Sequence, residues 1–277
     1  MVWLAISRRN TDAISDVFGS IGLYGFRLHM KHTPPPGLKN YRNLHLWMLL
    51  PLAITVLGFA PRYFLALPQA TFHQHVHGIS ASLWMLLIVI QPWLITRGDR
   101  RSTHRSLGIV GLVLAGIVAG SALAIIPRNI VHIPRLSDDG VFNPTFAYFV
   151  TYLDTVLIAL FVFSVTFAVL KIRKGQLADH VQWLLASVFL VLSPALIRLL
   201  LIGTMMLRPE AGIRFIDLVV PTVVLMLLMV GVYYYRFGSF RHPSFVLVML
   251  TVVSFLLVGW VGDNETLRSL AHIIFKS

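Results

Sequence analysis

Residues 73–108 read HQHVHGISASLWMLLIVIQPWLITRGDRRSTHRSLG. A histidine cluster opens an apolar run, a basic turn closes it, and a further histidine opens the next apolar run. Within the first run His73, His77, Ser80, Trp84 and Gln91 recur at helical offsets, which places them on one face of an α-helix. Exposed to hydrocarbon, that face would leave imidazole, hydroxyl and amide groups unpaired at considerable cost. It must therefore face a bundle of helices or a wet cavity, with Trp84 and Gln91 pointing inward.

The same pattern of long apolar runs and short polar turns extends in both directions. Spans are predicted at about 44–62, 76–96, 106–126, 146–170, 180–203, 215–235 and 243–261, each near the roughly 20 residues that cross a bilayer as a helix. The composition agrees: 57% of the 277 residues are apolar and only 12% are charged. The expected fold is all-α, a polytopic membrane protein with seven transmembrane helices. Residues 1–40 would form a cytoplasmic segment, 41–262 the membrane domain and 263–277 a short external helix.

A net charge of +12 could suggest nucleic acid, but its distribution argues for topology. Fifteen of the 23 Lys and Arg residues fall in residues 1–44, the turn Arg97 to Arg105, the turn Lys171 to Lys174 and the turn Arg236 to Arg241. All of these lie on one side of the seven spans, seven others lie on the opposite side, and Arg198 lies within a span. By the positive-inside rule the N-terminus is cytoplasmic and the C-terminus external. The lipid bilayer is then the partner the basic residues address, and nucleic acid is not one.

Outside the spans, residues 11–31 have the pattern of an interfacial helix, with Ile14, Val17, Phe18, Ile21, Tyr24 and Leu28 on one side and Pro34 to Gly37 ending it. Residues 127–145 form the longest external loop, and Asn264 caps a terminal helix with Leu267, Leu270, Ala271 and Ile274 on one face. Tyr233, Tyr234 and Tyr235 read as an inner aromatic belt and Trp260 as an outer one.

Polar residues inside spans are expensive and mark function or packing. Counted from the connecting turns, Asp154, Arg198 and Asp217 fall at matching depth, which predicts a buried charge cluster near the outer side. The fifth span carries a second stripe of His180, Trp183, Ser187, Pro194 and Arg198 on one face. His45, His104, His180 and His242 each open a span running outward, a weak repeat. The third span holds Gly108, Gly111, Gly116 and Gly120, a smooth surface for a neighbouring helix or a flat ring.

The elements HxHG followed by Trp84 and Gln91, then HRxLG at His104 to Gly108, resemble an uncharacterised family of bacterial multi-pass membrane proteins. The resemblance covers most of residues 45–245 and implies location in a bacterial cytoplasmic (inner) membrane, with no activity to carry over. His180 is followed by Val181 and Gln182 where that family has a basic pair. More loosely, the chain is similar to transmembrane b-type cytochromes, in which four consecutive helices each supply a histidine. Here the second, third and fifth spans supply His77, His104 and His180, and the fourth supplies none.

Several functions are consistent with these residues. A b-type haem could be held by His104 and His180, with Gly108 and Gly111 making room for the ring and Trp183 forming a wall. That would make the chain an electron-transfer protein with a quinone or another membrane redox partner. Alternatively His73, His75 and His77, with His132 from the external loop, could ligate copper or zinc at the outer mouth. A cofactor-free transporter using the Asp154, Arg198 and Asp217 cluster, an accessory subunit of a respiratory complex, and a homo-oligomer remain open. The chain has no cysteine, which removes disulfides, iron–sulfur clusters, zinc-thiolate sites and covalently attached haem. No phosphate-binding loop, nucleophile elbow or zincin helix is present.

Overall fold

The computed structural model describes residues 37–97, 100–138, 141–207 and 213–275. The interfacial helix expected at 11–31 lies outside the described residues. Among those residues every regular element is a helix, and seven are long and apolar enough to cross a membrane. They are α1 (Leu38–Phe64), α2 (Phe72–Thr96), α3 (Arg101–His132), α4 (Pro144–Arg173), α5 (Leu177–Leu207), α6 (Ile216–Phe237) and α7 (Pro243–Gly262), followed by the short α8 (Glu265–Phe275). The protein is a seven-span membrane protein.

The fifth helix is the pole of the bundle. Its apolar window is 61% buried, against 28–39% for the other six, and α1, α4, α6 and α7 all pack on it. Its length is lined with buried Leu, Val, Ala and Phe residues from Val181 to Ile197. Because neighbouring helices surround most of α5, much of its polar stripe is held inside protein rather than against lipid, where exposed polar groups would be costly.

Prolines shape the first span. α1 starts as a 3-10 turn, runs as α-helix and ends in a π turn at Ala60–Phe64. Pro51 has no N–H to give to the Trp47 carbonyl, four residues earlier. Tyr233 of α6 donates its hydroxyl to that carbonyl instead, and its ring packs edge-on against Trp47. At the outer end Gly58 lies so close to α5 that a β-carbon there would meet the Ala195 carbonyl oxygen at 2.2 Å.

Two local expectations are corrected. The loop expected at 127–145 is mostly helix: α3 continues through Pro127 to His132 and a 3-10 turn follows to Arg135. Of the tyrosine run only Tyr235 faces outward, at 80% exposure, whereas Tyr233 and Tyr234 are buried. Successive residues on a helix point about 100° apart, so three in a row cannot share a lipid-facing side. Trp260 is exposed at the opposite end, as a belt residue should be.

Terminal α8 is capped by Asn264, whose side chain accepts from the Leu267 N–H at 3.0 Å. It docks on α3 and α4 through buried Ala271 and a His272 to Tyr148 hydrogen bond of 2.8 Å. Leu270, Ile273 and Ile274 remain exposed. That sidedness suits a helix resting in the bilayer interface.

Candidate functional site

The polar stripe of α2 meets α3 rung by rung in an antiparallel hairpin. From the outer end inward, Arg128 donates to the His73 ring at 2.9 Å, His77 contacts Ser121 at 3.1 Å, and Leu87 covers Gly111. At the inner end Gln91 and His104 are locked reciprocally. The Gln91 amide donates to the His104 carbonyl at 3.1 Å, and the His104 Nδ1 bonds the Gln91 carbonyl at 3.2 Å. Trp84 and Gln91 are buried, with the Trp84 Nε1 and Gln91 Oε1 unpartnered among the described residues.

His180, in the first turns of α5, makes an equivalent contact with α4, its Nδ1 lying 2.8 Å from the Ala168 carbonyl. A carbonyl oxygen can only accept, so in both His104 and His180 the proton is on Nδ1. The lone pair of each neutral imidazole is therefore on Nε2, and neither Nε2 is engaged in a hydrogen bond among the described residues. This is the arrangement that metal-ligating histidines adopt, with one nitrogen oriented by a backbone carbonyl and the other left for the metal. Both rings stand near the same end of the bundle, each in the first turns of its helix.

The walls differ from expectation. Gly108 is open, its nearest neighbour to an added β-carbon being the Gln91 Nε2 at 3.8 Å. Gly111 is not, because Leu87 would stand 2.6 Å from such an atom; this glycine serves helix packing. Trp183 is buried between Phe163, Phe167 and His242. These ring contacts pack α5 against α4 and the start of α7.

The outer histidines do not converge. Among the described residues no group of three or more His, Asp or Glu side chains could hold a metal ion. His73 and His77 share the α3 side, but the His73 Nε2 lone pair is used by Arg128, a donor-only partner. His75 points to α1, where its ring stands 6.0 Å from Tyr63. His132 lines a separate cavity between α3 and α4. Helix pitch separates His75 from its neighbours by about 200° in two residues, which the count of three histidines in five hid.

The expected charge cluster is reduced to a loose pair. Arg198 and Asp154 feel each other's charge but form no ion pair within 4 Å. The Arg198 Nη1 instead donates to the Pro194 carbonyl at 2.7 Å, and its guanidinium lies 4.9 Å over the Phe59 ring. Asp217 is elsewhere: it sits in the exposed first turn of α6, paired with Arg214 at 3.2 Å. Depth counted from a turn fixes height, not direction, and here α6 starts one residue before Asp217.

A network at the inner surface was not read from the sequence. Lys171 pairs with Asp179 at 2.9 Å, and the His242 Nε2 lies 3.7 Å from the same carboxylate. The His242 Nδ1 caps α7 by accepting from the Ser244 N–H at 3.2 Å, and Tyr234 reaches the Ser244 hydroxyl at 2.8 Å. Burial is the larger influence on His242 and pushes its imidazole below the usual range, while Asp179 pulls it up and Lys171 pushes it down. The folded protein thus binds this proton less readily than the unfolded chain. The resulting stability is complete above about pH 6.5 and is lost as pH falls. His242→Asn, which keeps a capping acceptor, is expected to flatten the fall in melting temperature between about pH 7.5 and about pH 5.5. Equal slopes in the two proteins would assign the pH dependence to other groups.

No protein-family model, curated protein or solved structure matches this chain.

Proposed function

We propose that the protein is an integral membrane electron-transfer protein of the bacterial inner membrane, with its N-terminus in the cytoplasm, holding one b-type haem through His104 and His180. The observation that carries this reading is the matched state of the two imidazoles. Each is fixed by a bond from Nδ1 to a carbonyl of the neighbouring helix, and each keeps its Nε2 lone pair unused. Both side chains are only partly buried and neither Nε2 is a buried unpaired atom, so each lone pair stays accessible to a ligand.

His104 and His180 would hold the haem through their Nε2 atoms, and the open side of α3 at Gly108 would leave room beside it. Such a group, when bound, would supply one-electron redox chemistry. This chain's own contribution is to orient the two ligands. Gln91 holds the start of α3 through the His104 carbonyl, and the central position of α5 immobilises His180. Four helices each have a histidine near this end, with His45 in α1 and His242 capping α7.

The absence of cysteine makes any such haem non-covalent. Detergent-purified protein is expected to carry about one haem per chain that acidic acetone extracts completely, quantified against protein by amino-acid analysis. Recovery of no haem from cells supplied with a haem precursor would refute the reading. The metal alternative at His73, His75, His77 and His132 loses support because these side chains do not converge. Transport by the Asp154 and Arg198 pair would leave the two matched imidazoles without a role.

A further inference from the structure

A half-open cavity of about 210 Å³ lies between the outer ends of α3 and α4, and its lining includes Asn129, His132, Phe142, Phe146, Val150 and Asp154. The lining residues of α4 run from Phe146 to Asp154, eight residues apart, so the groove extends about 12 Å along the helix. Asp154 is at its deep end and the two phenyl rings at its outer end.

Three observations define what would fit. The walls are mostly apolar, and the volume exceeds the roughly 150 Å³ of a protein cavity that accepts benzene. Among the described residues, no hydrogen bond or ion pair within 4 Å reaches the Asp154 carboxylate. The Arg198 charge is nevertheless close enough to act on Asp154, and Arg62 lies 5.6 Å over the Phe142 ring. A second organic cation would meet these two guanidinium groups. A neutral ring bearing a hydroxyl meets none, and its O–H supplies the donor the carboxylate lacks.

We infer that this cavity is a binding site for a monocyclic aromatic alcohol, a phenol or the head of a quinol, whose hydroxyl donates to Asp154 while its ring lies between α3 and α4. His132 and Asn129, on the other wall, offer polar atoms to a second ring substituent. A hydrogen bond to an unpartnered carboxylate in a largely apolar site is of the stronger kind. The site is independent of the haem reading, since Asp154 lies fourteen residues, about 21 Å along α4, from Ala168 beside His180.

The test uses full-length protein in lipid nanodiscs, with 4-fluorophenol as probe and its fluorine resonance as readout. Saturable binding is expected, and 4-fluoroanisole, the same ring with its hydroxyl methylated, should bind about tenfold more weakly or worse. Val150→Phe fills the cavity without touching a charge and should abolish the saturable component, while Asp154→Leu should weaken it about tenfold. Because Asp154→Leu could disturb folding by isolating Arg198, the Val150 variant and the methyl ether keep the test decisive. Displacement of the probe by a hydroquinone with a long alkyl tail would mark a ligand arriving through lipid, and displacement by sulfonated hydroquinone one arriving from water. Either supports the site. Equal binding of phenol and anisole, tighter binding of 4-fluorobenzylammonium, or no component sensitive to Val150→Phe would overturn the proposal.

Discussion

His104→Ala and His180→Ala are each expected to strip the haem from the purified protein, whereas His77→Ala is expected to leave it in place. The three histidines resemble one another in sequence, each near the end of an apolar helix, but differ in position. His77 lies fourteen residues from Gln91 along α2, about 21 Å from the level of the His104 lock. His104 and His180 share the inner end, each in the first turns of its helix. Loss of either side chain would remove one of the two nitrogens proposed to hold the group. Gln91→Ala should have a smaller effect, because the backbone carbonyl that orients His104 survives the change. Removing such supporting contacts at metal sites typically weakens affinity by about 10–100-fold rather than abolishing it. Retention of a full haem complement by both His104→Ala and His180→Ala would sink the bis-histidine assignment. Loss of pigment with His77→Ala alone would move the cofactor to the outer half.

The second large effect is on stability. Gly58→Ala is expected to cost about 3 kcal/mol, at the upper end of what overpacking does, because its new methyl group would lie 2.2 Å from the Ala195 backbone oxygen. Backbone cannot rotate away as a side chain can, so α1 would have to separate from α5. Gly116→Ala provides the control. It is also a glycine within a membrane helix, but nothing stands within 4 Å of an added β-carbon there. Helix propensity alone should make that change neutral or slightly stabilising. Thermal unfolding of the detergent-solubilised variants distinguishes the two. A Gly58→Ala protein that melts with the wild type would mean that α1 does not approach α5 this closely.

The contrast between these glycines shows where sequence reasoning reached its limit. Gly116 and Gly120 have the small-xxx-small spacing associated with close helix contacts, yet both face open space, while isolated Gly58, Gly78 and Gly262 lie against Ala195, Tyr63 and Thr145. Spacing reports which residues share a face; it does not report whether a neighbour is present. The number and approximate positions of the spans followed from apolar length, though their ends did not, and the inward direction of Trp84 and Gln91 followed from the cost of exposing an amide to lipid. The Asp217 assignment failed because depth counted from a turn gives height and not direction, and Asp217 stands in the exposed first turn of α6 beside Arg214.

The histidines divide the same way. That His45, His104, His180 and His242 lie at one end of the bundle was legible from alternating topology. Which ring nitrogen each one uses was not, because that depends on carbonyls of a neighbouring helix, Gln91 for His104 and Ala168 for His180. The capping role of His242 had a local signal in Pro243, since proline favours the first position of a helix and the residue before it becomes the cap. Its link to Asp179 crosses from α7 to α5 and has no counterpart in local sequence.

The central claim is two-nitrogen ligation of one haem, and a visible difference spectrum tests it most directly. Detergent-purified protein would be recorded oxidised, reduced with dithionite, and reduced under carbon monoxide. The proposed function predicts a Soret band with sharp reduced bands that carbon monoxide does not alter, because two protein nitrogens, from His104 and His180, would already hold the iron. A spectrum without a Soret band, or one that carbon monoxide shifts at once, would contradict it.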